Sequence, residues 1–146
     1  LLLYRIQPKL VALATGMSAE DAGRLKRTII RDTPGAQSQS GRIQVPETTL
    51  AENPNHSLLY LTIYRLLAHD PLRSTNARAV MASHKEYEKI CAFLQLPRAE
   101  LLSPTNAYQL SNALKSGEIQ LAECTACKEV YARYVLKPGR CIWCGA

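Results

Sequence analysis

Two close pairs of cysteines constrain this chain more than any other feature. Cys124-Thr125-Ala126-Cys127 is followed, after thirteen residues, by Cys141-Ile142-Trp143-Cys144. Each pair can offer two thiolates from one knuckle turn, and two knuckles brought together complete the four-sulfur tetrahedron that zinc prefers. A module this small buries too little apolar surface to fold unaided, so metal binding is expected to supply much of its folding energy. Ile119 and Leu121 alternate with Gln120 and Ala122, which predicts a short strand leading into the first pair. Val130 to Leu136 then reads as the returning arm of a hairpin, and Pro138-Gly139 as the turn toward the second pair.

The competing readings of these cysteines are disulfides or unrelated thiols. Five cysteines in 146 residues fall far below the roughly 8 to 10% of a disulfide scaffold, and the paired spacing favours metal. One structural zinc per chain is the expectation. Four thiolates close the coordination shell and leave no position for a reactive water, so hydrolysis at this metal is not expected. His84-Lys85-Glu86 has the His-x-Glu form of zinc deaminases, but their second element is Pro-Cys-x-x-Cys, and Glu123 precedes Cys124 here. His84 therefore reads as a helix-surface or core residue, and Cys91, in an apolar stripe with Val80 and Tyr87, as a small buried hydrophobe. No residue set joins a nucleophile, a base and an orienting group, so the chain is not expected to be an enzyme.

The rest of the chain reads as mainly α-helical. Leu3, Ile6, Leu10 and Leu13 recur at helical spacing, Gly16-Met17 interrupts, and Ser18-Ala19-Glu20-Asp21 offers a cap before Ala22, Leu25 and Ile29 resume the stripe. Residues from about 32 to 55 hold Pro34, Gly35, Gly41, Pro46 and Pro54 among polar residues, which predicts a long loop. Leu58 to Ala68, with Leu59, Ile63, Leu66 and Leu67, reads as a helix buried on much of its circumference. A helix from about Thr75 to Leu96 is expected to bury Val80, Tyr87, Cys91 and Leu94, with Pro97 ending it. Ser103-Pro104 starts another, with Ala107, Leu110 and Leu114 inward and Gly117 as its stop. The predicted organisation is a helical domain over 1–118 and a zinc-binding module over 119–146. No apolar run nears the roughly 18 residues of a membrane span, and no signal-peptide pattern opens the sequence, so a cytoplasmic location is expected.

Eighteen Lys and Arg against twelve Asp and Glu leave a net charge of +6, which makes a polyanion the first partner to consider. With Ala22, Leu25 and Ile29 turned inward, Arg24, Arg27 and Arg31 share the opposite face with Glu20, and Lys26 lies to one side. Ala12, Gly16 and Ala22 give this segment the form of a helix-turn-helix, whose second helix can enter a major groove. An ordinary solvated basic face is the alternative. Arg133, Lys137 and Arg140 add charge around the cysteine module beside Tyr131, Tyr134 and Trp143, a mixture suited to phosphate contact and stacking, or to a small core. The candidate DNA-binding set is thus Arg24, Lys26, Arg27, Arg31, Arg133, Lys137 and Arg140.

A helix-turn-helix-like start, a Pro/Gly-rich connection, Asn55-His56-Ser57 opening an apolar helix, and Lys115-Ser116-Gly117-Glu118-Ile119-Gln120-Leu121 running into Cys124 follow one another. This order resembles the FlhC family, the zinc-containing subunits of the bacterial flagellar master transcriptional activator. The resemblance spans nearly the whole chain, is most specific from Ala113 to Cys144 and is loose between Asp70 and Ser103. The gap between the cysteine pairs is shorter than the family's. The resemblance implies a cytoplasmic DNA-binding regulator that assembles with FlhD, two FlhC with four FlhD in a heterohexamer, and activates class II flagellar promoters through RNA polymerase. It also implies that Cys124, Cys127, Cys141 and Cys144 are the zinc ligands. Two other classes remain open at this point: a zinc-stabilised interaction adaptor whose partner reads the DNA, and a thiol redox protein using Cys-x-x-Cys.

Overall fold

The computed structural model describes residues 7–32, 46–97, 101–137 and 139–146. The elements run α1 (Pro8–Thr15), α2 (Ala19–Asp32), α3 (Pro46–Glu52), α4 (Pro54–Leu67), α5 (Ala77–Phe93), α6 (Pro104–Lys115), β1 (Ile119–Glu123) and β2 (Val130–Tyr134). The protein is mainly helical, with a C-terminal four-cysteine cluster. No helix among the described residues is long and apolar enough to cross a membrane.

Local chemistry explains most of the helix ends. Gly16 closes α1 at φ 74°, a left-handed conformation that costs glycine nothing. Ser18 accepts the Asp21 amide at 3.0 Å and so caps α2. The side chain of Asn76 caps α5, and Ser103 caps α6 by accepting from the Asn106 amide at 3.1 Å.

The predicted loop over 32–55 is corrected by the structure. Residues 33–45 lie outside the described set, but Pro46–Glu52 form α3 and α4 already begins at Pro54. Proline at the first helical position lacks only an N–H that would have no intrahelical partner, so Pro46 and Pro54 start helices here rather than prevent them. Burial of Thr49 and Leu50 then holds a helix too short to persist by propensity alone.

Two apolar stripes also differ from expectation. In α4 the buried residues are Ser57, Tyr60, Leu61, Tyr64 and, as expected, Ile63, whereas Leu66 and Leu67 are exposed, Leu66 at 80%. In α5, Val80, Tyr87 and Cys91 are buried as expected, together with Ser83 and His84. Leu94 lies beyond the last turn, where Leu96 N–H returns to the Cys91 carbonyl at 3.0 Å, and it is exposed.

The core joins the helices to the hairpin. α4 packs along α5, and α6 packs against both. Tyr60, its ring beside those of Tyr64 and Tyr87, shares a 2.7 Å hydrogen bond with Ser111 of α6. Tyr87 Oη receives the Leu102 amide at 3.1 Å and sits 2.6 Å from His56 Nδ1, while His84 Nε2 lies 2.8 Å from the Leu102 carbonyl. These bonds link α4, α5 and the segment before α6, while Ser83 Oγ and His84 Nδ1 of α5 are buried without a hydrogen-bond partner among the described residues. β1 and β2 pair antiparallel, with Ile119 opposite Tyr134 and Leu121 opposite Ala132. Ile119 and Ala132 are buried in the same cluster as the helical residues, β1 meeting α6 and β2 meeting α3 and α4. The cysteine knuckles therefore hang from a hairpin rooted in the helical core.

Candidate metal centre

Both knuckles follow one backbone plan. In the first, the Lys128 amide donates to the Cys124 carbonyl at 2.9 Å and the Cys124 amide to the Glu129 carbonyl at 2.9 Å. In the second, the Gly145 amide donates to the Cys141 carbonyl at 2.9 Å and the Cys141 amide to the Ala146 carbonyl at 2.8 Å. The residue after each pair adopts a left-handed conformation, Lys128 at φ 66° and Gly145 at φ 75°. Such a turn points the two thiols of a pair the same way and aims amides at sulfur: the Trp143 amide lies 3.4 Å from Cys141 Sγ. Trp143 Nε1 donates to the Val130 carbonyl at 2.9 Å, which ties the second knuckle to the hairpin.

All four sulfurs lie within 4.8 Å of one another. Cys124 Sγ and Cys144 Sγ are 3.7 Å apart, as are Cys127 Sγ and Cys141 Sγ. A disulfide would hold sulfurs at about 2.05 Å, whereas ligands about 2.3 Å from a central zinc form a tetrahedron with edges of about 3.8 Å. The cysteines are free thiols at metal-ligand spacing, and the cluster could hold a metal ion. A comparison with protein-family models finds no match, and a comparison with curated protein sequences finds none either.

The electrostatics of the cluster also suit a cation. The backbone amides of Cys127 and Ala126 pull the Cys124 thiol down to about 6. At Cys127, the Glu129 backbone amide is outweighed by burial and by the facing thiols of Cys144, Cys141 and Cys124, which hold it up at about 12. The Cys124 thiolate forms readily, and ionisation of Cys127 awaits a positive charge at the centre. The sulfur atoms of Cys124, Cys127, Cys141 and Cys144 are the donors such an ion would find. His84 is no part of this group: it is buried in α5 against Leu102.

The predicted basic residues divide by environment. α1 and α2 pack as a helix pair across Gly16-Met17-Ser18, with Val11 and Ala22 buried. On the outer face Arg24 is held by Asp21 at 2.8 Å and approached by Glu20 at 3.9 Å, and Arg31 pairs with Asp32 at 2.8 Å. Arg27 is exposed and makes no ion pair among the described residues. Lys26 is half-buried, and that burial lowers its pKa. Leu25, expected inward, is instead 39% exposed, because the helix turns Ala22 and Lys26 toward its neighbours.

Arg133, Lys137 and Arg140 do come together. They line one groove between the cysteine module and α3, where Lys137 Nζ meets Glu47 Oε1 at 3.2 Å. Sequence reasoning missed Glu47, whose partner stands ninety residues away. It also missed the knuckle positions Lys128 and Gly145, although a glycine directly after the second cysteine of a pair was a readable sign of the latter.

Proposed function

We propose that this chain is a DNA-binding subunit of a transcriptional activator of the FlhC type, acting with FlhD at class II flagellar promoters. One structural zinc per chain, bound by Cys124, Cys127, Cys141 and Cys144, holds the C-terminal module in shape and takes no part in turnover, because four thiolates leave no coordination position for a substrate. The observation that carries this reading is the closed four-sulfur cluster beside a groove with three cations and a single carboxylate. Arg27, exposed and without an ion pair among the described residues, stands on the second helix of a glycine-turned pair and supports a second point of contact. Assembly as two copies with four FlhD, and the contact with RNA polymerase, rest on the family resemblance alone.

A second reading has its own support. Leu66 at 80% and Phe93 at 86% exposure are apolar surface for a protein partner, and Asp21 and Asp32 beside Arg24 and Arg31 lower the net positive charge of the α2 face. In that reading the chain is a zinc-stabilised adaptor and its partner reads the DNA. Co-purification with FlhD, followed by footprinting on a flagellar class II promoter across a salt series, separates the two. A DNA-contacting subunit gives protection that FlhD alone does not, and affinity that falls steeply with salt. Protection identical with and without this chain leaves the adaptor.

A further inference from the structure

The groove between α3 and the cysteine module is a cavity of about 260 Å³. Its lining includes Arg133, Lys137 and Arg140 against one carboxylate, Glu47, an excess of two positive charges above an apolar floor of Leu50 and Ile142. Low-dielectric walls concentrate the field of such an excess within the cleft. Arg133 adds a second, independent mark: its Nε is shut off from solvent and meets no hydrogen-bond acceptor among the described residues. Arg133 as a whole is half-buried in the groove wall, so one of its five N–H donors is sheltered without an acceptor there while the residue still lines the cleft. Lys137 has such a partner, but the pair is solvent-exposed, with side-chain exposures of 75% and 40%, so opening it costs little.

We propose that this groove seats one phosphodiester of a nucleic-acid backbone, held by Arg133 and Arg140 and by Lys137 once it leaves Glu47. The inference rests on the DNA-binding reading and assigns it a place. In the unbound protein Glu47 occupies Lys137 and repels an incoming phosphate, so it acts as a competitor within the site. This gives the carboxylate and the cations opposite effects on affinity. A groove that merely braces α3 against the hairpin would show no such opposition, because there Glu47 and Lys137 would both stabilise.

The test measures binding of duplex DNA, promoter and scrambled, to the full chain with FlhD, at several salt concentrations, for wild type, Arg133→Gln, Arg133→Lys, Arg140→Gln and Glu47→Gln. Retained metal and unchanged circular dichroism show that each variant is folded. Arg133→Gln and Arg140→Gln should weaken both duplexes alike, about five- to tenfold, and each should flatten the slope of log affinity against log salt by about 0.9. Arg133→Lys should recover part of the loss, and Glu47→Gln should tighten both duplexes about three- to tenfold. Strong DNA binding that ignores all four substitutions, or that weakens in Glu47→Gln, overturns the groove and leaves the DNA-binding reading standing. A wild-type complex that binds neither duplex overturns both. Inorganic phosphate, titrated while the arginine side-chain resonances are followed, separates the sources: phosphate binding without duplex binding marks a free-phosphate site and refutes the nucleic-acid assignment.

Discussion

Replacing Ile119 with alanine probes how firmly the cysteine module is joined to the helices. Ile119 opens β1, is 0% exposed, and lies in the same buried cluster as residues of α4, α5 and α6. The substitution removes three carbons from a site walled by helix on one side and by the Tyr134 strand on the other, so the space cannot close by moving a surface chain. Buried Ile→Ala changes cost about 2 to 5 kcal/mol, and full burial at a junction of elements places this one near 3 to 4 kcal/mol. In a chain of this size that corresponds to a fall in Tm of about 10 °C. The assay follows thermal unfolding by far-ultraviolet circular dichroism, which sees the helices, and by the sulfur-to-metal absorption of the cobalt-substituted protein, which sees the module. The two signals should fall together in wild type and variant alike. A variant whose metal signal is lost early while the helices melt at the wild-type temperature, or a loss below about 1 kcal/mol, would refute a shared core.

The remaining expectations concern the site and the polar core. Metal affinity should rise with pH between about 6 and about 12, where Cys127 must give up its proton to bind, and fall more steeply still below about 6, where Cys124 is protonated as well, since every ligand must be a thiolate; competition with a chelator at pH 5.5 and 7.5 measures this, and equal affinities would contradict it. Ser103→Ala removes the acceptor of the Asn106 amide and should cost about 1 kcal/mol in urea unfolding, so an unchanged midpoint would remove the cap. Tyr87→Phe strands the Leu102 amide and His56 Nδ1 and should cost about 2 kcal/mol; a neutral result would mean that water replaces the hydroxyl.

What could be read in advance follows the range of the interactions involved. The four-cysteine cluster was legible because a Cys-x-x-Cys knuckle is local, and because its donor count and spacing are set before any tertiary contact forms. The helices beginning at Ser103-Pro104 and ending at Gly16 were legible for the same reason, as capping spans only a few residues. α3 was not. It is only seven residues long and its paired threonines are poor helix formers, so it is held by burial of Thr49 and Leu50 and by contact with β2 far along the chain. The Glu47–Lys137 pair is invisible for the same reason. The arginine ridge of α2 shows the converse: three arginines on one face were readable, but Asp21 and Asp32 neutralise two of them through neighbours equally present in the sequence. Rotation of the buried face toward Lys26 needed the packing partner to be known.

X-ray absorption at the zinc edge of the purified protein, combined with elemental analysis and intact mass, tests the central claim most directly. It should return about one zinc per chain surrounded by four sulfurs near 2.3 Å and no nitrogen or oxygen ligand, with the cysteines unoxidised. Absence of metal together with a mass four hydrogens lighter, which is the signature of two disulfides, would contradict it, as would a zinc coordinated by fewer than four sulfurs.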